Sequence, residues 1–174
     1  MEERIIVADP VGDPEGYQRE LLAMLGGEDP RDVMAATLAN LRGEATAVSE
    51  ERLSRRPSPG EWSVAELLGH LWDAEIAYAF RARAILAQDT PRLIGYDQDA
   101  WGTLARPPHG ELVAAFTALR TANLALIDGT PEAAWDRSGI HEERGPLSFG
   151  LLTREIAGHD KAHLLQLQQT LAAV

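Results

Sequence analysis

Apolar residues recur along most of the chain at spacings of three and four, and Pro and Gly cut this pattern into blocks. Pro14 opens a short helix through GYQRELLAML, which Gly26-Gly27 stops. Pro30 stands in the first turn of a second helix, with Val33, Met34, Leu38 and Leu41 on its apolar side; the pattern runs past Gly43 towards Leu53. RRPSPG, residues 55–60, is a break. Residues 1–13 read as irregular.

The longest helical pattern starts at Trp62-Ser63. Ser63 with Glu66 three residues on is a capping-box signature, and Val64, Leu67, Leu68, Leu71, Ala74, Tyr78 and Ala82 follow at helical spacing. The pattern fades near Gln88-Asp89. A long connection, residues 89–107, leads to Pro108, which opens a helix with Leu112, Val113, Phe116, Leu119, Leu126 and Ile127 as its apolar set. Pro131–Trp135 reads as one turn, and a small hairpin is expected around Glu143–Gly145. Ser148 caps the last helix, whose apolar positions are Leu152, Ile156, Leu164, Leu167 and Leu171. Four substantial amphipathic helices without convincing strands predict an all-α, up-and-down bundle, with a short extra helix before it and a long loop between its second and third helices.

Composition narrows this picture. A chain of 174 residues fits one domain over residues 1–174. It carries 27 acidic against 16 basic residues, a net charge of −11, which argues against nucleic acid as a partner. The N-terminus lacks a basic segment followed by a long apolar run. No stretch approaches the ~18 apolar residues of a spanning helix, so a soluble, cytoplasmic protein is expected. Cysteine is absent, which removes thiolate metal sites, cysteine nucleophiles and disulfides together. Any transition metal must rest on His and carboxylate.

The last helix contains GHDKAHLLQ. His159 and His163 are four apart, so on a helix their imidazoles share one side and can reach one ion. His70 lies at the edge of the apolar stripe of the long helix and is the candidate third ligand. Three protein ligands leave a coordination position open, as in catalytic zinc sites. Satisfied core histidines are the alternative.

Asp160 falls inside the same apolar sector. A buried, unpaired carboxylate is costly. One reading makes Asp160 a base or an orienting group beside the metal; the other pairs it with Arg81 or Arg83, or has it cap a neighbouring loop. Glu75 and Asp73 are placed to orient an imidazole N–H. A di-iron carboxylate site fits less well, since Glu66/His70 and Glu155/His159 are four apart rather than three. His109 and His141 read as loop histidines. Trp101, with Tyr96, Asp97 and Asp99, sits in the long connection, where Tyr96, Asp97 and Trp101, together with Asp73, are candidates for a substrate pocket; ordinary loop packing is the alternative.

Three segments taken together, PSPGEWSVAELLGHLWDAE, RLIGYDQDAWG and GHDKAHLLQLQ, resemble the DinB-like (damage-inducible) superfamily of metal-binding four-helix bundles, from about Asp13 to Leu171. The resemblance implies an up-down-down-up bundle. It also implies a divalent metal, nickel, zinc or iron, on His70, His159 and His163, and homodimers. Some members are transferases that use low-molecular-weight thiols, and others resemble maleylpyruvate isomerases. Fold and family fix a site more firmly than a reaction.

The leading expectation is therefore a metal-dependent enzyme acting on a small molecule by thiol transfer or hydrolysis. Without cysteine in the chain, any thiol must come from a cosubstrate. A non-catalytic metal- or ligand-binding stress-response protein is the alternative, and a metal-free inward histidine cluster is a third.

Overall fold

The computed structural model describes residue 8 and residues 11–46 and 48–174; most of the irregular stretch expected at the N-terminus lies outside the described residues. Asp13 caps α1 (Pro14–Leu25) by accepting the Gly16 N–H at 2.9 Å. α2 (Pro30–Thr46) stops short of the expected Leu53. A separate turn of helix, α3 (Glu50–Leu53), starts after Ser49, whose hydroxyl caps it. α4 (Val64–Ala87) begins with the capping box that the sequence predicts: the Glu66 N–H donates to Ser63 Oγ and the Ser63 N–H to Glu66 Oε2. Such a cap contributes about 1 kcal/mol.

The long connection is more ordered than its composition suggests. It holds a two-residue strand, β1 (Arg92–Leu93), and a short helix, α5 (Gln98–Gly102). Elements this short show no periodicity to read. After α6 (His109–Asp128) comes a 3-10 turn at Glu132–Ala134, then β2 (Ser138–His141) and β3 (Gly145–Ser148). β2 and β3 form the expected hairpin, with Gly145 at φ +73 where a side chain would be strained. β1 adds to the far edge of β2 in parallel, Leu93 opposite His141. α7 (Phe149–Ala173) starts from Ser148, which accepts the Leu151 N–H.

α2, α4, α6 and α7 make a four-helix bundle in which α6 and α7 each pack on both α2 and α4. Two apolar clusters give the directions. One joins the start of α2 (Met34), the end of α4 (Tyr78, Ile85), the end of α6 (Ile127) and the start of α7 (Leu152, Ile156). The other joins Leu41, Leu67, Phe116 and Leu164 from the opposite ends. α2 and α7 thus run one way and α4 and α6 the other, the up-down-down-up order. Burying each large apolar side chain of these clusters contributes roughly 1.5–3 kcal/mol.

α1 lies along α7. The approach is close at Gly158, where a Cβ would sit 2.0 Å from the Leu21 carbonyl oxygen. Among the described residues, α6 alone is long and apolar enough to meet the length and composition of a membrane span. The sequence shows no unbroken apolar run there because polar residues such as Arg120 interrupt it. In the bundle α6 packs on α2 and α4, with Arg120 wholly buried between them.

Candidate metal centre

The bundle brings together the three histidines that the sequence singles out. His70 projects from the second turn of α4, and His159 and His163 project from adjacent turns of α7. Their ligand atoms all lie within 4.8 Å of one another, and the Nε2 atoms of His70 and His159 are 2.8 Å apart. His70 and His159 are buried, and His163 is half-buried. Trp62, immediately before the α4 cap, walls the cluster: its ring is 5.2 Å from that of His70 and stacks at 22° on His163.

These imidazoles are held neutral. Burial, with His163 and Arg106 nearby, pushes His70 down to about 3. Burial also takes His163 to about 4, against the bond to Gln166, and puts His159 well below the ordinary histidine range. A neutral imidazole has one lone pair to offer. At His163 the choice of nitrogen is set by Gln166, whose Oε1 lies 3.0 Å from Nδ1; an amide oxygen only accepts, so Nδ1 carries the proton and Nε2 the lone pair. The buried Nδ1 atoms of His70 and His159 have no hydrogen-bond partner. Three neutral nitrogen donors converge, and among the described residues no carboxylate bonds any of the three imidazoles. That donor set fits a divalent cation of the zinc, nickel or iron group.

The neighbouring acids have other tasks. Asp160 does not reach an imidazole. Its oxygens are held by both terminal nitrogens of Arg120, not by Arg81 or Arg83. Arg120 also donates to Glu75 Oε2 at 2.7 Å and to the Met34 carbonyl at 3.2 Å, and Asn123 donates to Glu75 Oε1 at 2.7 Å. This buried cluster ties α2, α4, α6 and α7 together beside the histidines. Burial works against the charge on Arg120, but the charges and hydrogen bonds of Asp160 and Glu75 outweigh it and hold the guanidinium firmly protonated. Asp73 likewise turns from the imidazoles to Arg106, which grips it with two nitrogens at 2.6 and 3.2 Å and also bonds the carbonyls of Gly69 and Trp101. Arg106 thereby fastens the long connection to α4 at His70.

A cavity of about 660 Å³ opens beside the cluster, and His70 and His159 stand in its wall. Of the four pocket candidates, Tyr96 and Asp97 line it and Asp73 and Trp101 do not; Asp99 lines it as well. Asp97 also caps α5, accepting the Ala100 N–H at 2.9 Å, and Trp101 packs on Tyr96. His109 is the first residue of α6 and pairs with Glu50. His141 is no loop residue: it ends β2, is 2% exposed and faces the cavity.

Arg120 and Asn123 escape the sequence reading, although their signal is present. They continue the stripe Leu112, Phe116 towards Ile127 at spacings of four and three, where the sequence suggested Leu119 and Leu126 instead. A charge on an apolar stripe marks a buried ion pair as readily as an error in the stripe.

The DinB superfamily model matches residues 34–167, which include all three histidines. A protein of Oceanobacillus iheyensis named "putative metal-dependent hydrolase" is 22% identical over 139 residues, 78% of this chain and 80% of that protein. One of Geobacillus kaustophilus with the same name is 25% identical over 132 residues, 74% of each. The fold of YfiT from Bacillus subtilis, described as "a probable metal-dependent hydrolase with an unusual four-helix bundle topology", superimposes with a TM-score of 0.73 at 17% identity, covering 99% of this chain and 94% of that one. With its four-helix bundle and a three-histidine centre between α4 and α7, the chain belongs to the DinB superfamily.

Proposed function

We propose that the protein is a metal-dependent hydrolase of small molecules, with His70, His159 and His163 as the metal ligands. The carrying observation is the meeting of three neutral imidazoles, two of which, His70 and His159, stand in the wall of a cavity large enough for a small substrate. The names of the relatives support the same reaction class.

A divalent ion at this position would supply Lewis acidity and activate water near neutral pH. The chain supplies the rest. Gln166 fixes the His163 tautomer, Trp62 shields two of the rings from water, and the Arg120 cluster holds α4 and α7 at the spacing that the ligands need. Asp160, with both oxygens on Arg120, is a positioning residue here and not the base.

Elemental analysis of protein purified without chelator or affinity metal, followed by turnover of an ester, amide and phosphoester panel, tests the reading. One equivalent of metal, turnover by the loaded protein and loss of both in His159→Ala are expected. Turnover that appears only with an added low-molecular-weight thiol assigns transferase chemistry instead. Absence of metal in wild type overturns the reading.

A further inference from the structure

The cavity has a second cluster of unspent hydrogen-bonding capacity, away from the three histidines. His141 accepts the Glu143 N–H on Nδ1 at 3.3 Å, which places its ring proton on Nε2. That Nε2–H is buried and has no partner. Leaving a buried donor unpaired costs about 1–3 kcal/mol, a cost that a bound acceptor removes.

Two guanidinium groups accompany it. Arg81, one turn beyond Tyr78 on α4, donates to the Ile94 carbonyl at 2.8 Å and lies 5.9 Å from the Tyr96 ring; among the described residues no carboxylate pairs with it. Arg144, on the β2–β3 turn, is 12% exposed and bonds Glu155 at 2.8 Å, whose other oxygen accepts from Gln18. The three groups feel one another: burial and the charges of Arg144 and Arg81 push His141 down to about 4, and burial, then Arg144, lowers Arg81. The inner wall therefore holds two cations, one carboxylate and a neutral N–H donor. The remaining acids, Asp97, Asp99, Glu142 and Glu143, stand exposed at the mouth, where water and salt screen them. Glu142 is further engaged by the Gly95 N–H and Arg92, and Asp97 by α5.

We propose that His141, Arg81 and Arg144 form an oxyanion subsite, which anchors a carboxylate or phosphate of the substrate while its reacting bond lies at the three histidines. Only the second half of this statement rests on the hydrolase reading. Anchoring itself needs neither metal nor turnover. Guanidinium groups suit both oxyanions, since they present paired N–H donors.

Isothermal titration of metal-free protein in Tris buffer, with succinate and with inorganic phosphate as separate probes, tests it. At least one probe should bind with a millimolar or tighter Kd; which one binds more tightly separates the carboxylate from the phosphate source. Arg81→Gln should weaken binding at least tenfold, and His141→Phe, which keeps the ring but not the donor, should do likewise. Arg81→Lys should recover part of the loss. Lys161→Gln, an equal change of charge outside the cavity, should bind as wild type. Arg81 is only partly buried, so its variants fold even where His141→Phe does not. Absence of binding by wild type, or wild-type affinity in Arg81→Gln, overturns the subsite. Binding that persists in a protein without turnover refutes the hydrolase reading alone.

Discussion

Asp160 directly follows the metal-ligand candidate His159, yet its carboxylate faces away from the histidines and is held by two nitrogens of Arg120, with both side chains wholly buried. Glu75 takes the other side of the same guanidinium. A buried ion pair is expensive to assemble, and removing one member leaves the others charged and unpaired. Arg120→Met should therefore lower the unfolding free energy by about 3–5 kcal/mol, read from urea denaturation. Adding Glu75→Gln and Asp160→Asn to that variant should restore part of the loss. A loss below about 1 kcal/mol for Arg120→Met would show that the cluster is not the clamp described here.

Gln166 contacts the centre only through His163 Nδ1, at 3.0 Å. It orients the ring and sets its tautomer, and groups in that position typically contribute 10–100-fold in metal affinity. Gln166→Ala should weaken zinc or nickel binding by about that factor in competition with a chromophoric chelator, with the stoichiometry unchanged. Gln166→Glu, which keeps an acceptor on Nδ1, should bind at least as tightly as wild type. Equal affinity in all three proteins would sink the assignment of the His163 tautomer.

How far the sequence reached can be judged from particular residues. His70, His159 and His163 were legible because helical spacing alone decides which side of α4 and α7 they occupy, and Ser63 and Glu66 fixed where α4 begins. The sense of each bundle helix followed from family resemblance. The partner of Asp160 was not legible: choosing Arg120 over Arg81 or Arg83 depends on α6 lying between α2 and α4, a long-range fact that no local pattern contains. His141 was misread for a related reason. The burial of β2 arises from pairing with β1, a distant segment of the chain, in the register that sets Arg92 opposite Ile140 and Leu93 opposite His141. Two- and four-residue strands carry too few positions to show alternation.

Gly158 lets the α1 backbone approach α7 where no side chain fits, its missing Cβ being 2.0 Å from the Leu21 carbonyl oxygen. Alanine favours a helix interior over glycine by about 0.5–1 kcal/mol, so an open site would be stabilised by Gly158→Ala. Here the clash is with backbone, which cannot swing aside, and overpacking of this kind costs about 1–3 kcal/mol. The variant should be less stable than wild type in urea. Limited proteolysis should cut α1 faster, since α1 must lift away from α7. A more stable Gly158→Ala variant, or unchanged cleavage, would contradict the close packing of α1.

The buried state of His141 predicts a pH dependence whose sign can be worked out. Desolvation, then the charges of Arg144 and Arg81, hold its folded pKa near 4 against the opposing pull of Glu142, while the unfolded chain titrates near 6.5. Above 6.5 the ring is neutral in both states and its contribution to stability is fully present. As pH falls from 6.5 towards 4 the unfolded chain takes up a proton that the folded protein does not, so stability is lost across that window; below 4 both states are protonated and the loss stops. Other buried histidines titrate in the same direction, so the test compares two proteins and not two pH values alone. The fall in urea midpoint of metal-free protein between pH 7.0 and 4.5 should be smaller in His141→Gln than in wild type, because glutamine has no proton to gain. Equal falls in the two proteins would mean that His141 is already solvated and protonated in the folded state, and its unpaired Nε2–H would then no longer mark a site awaiting an acceptor.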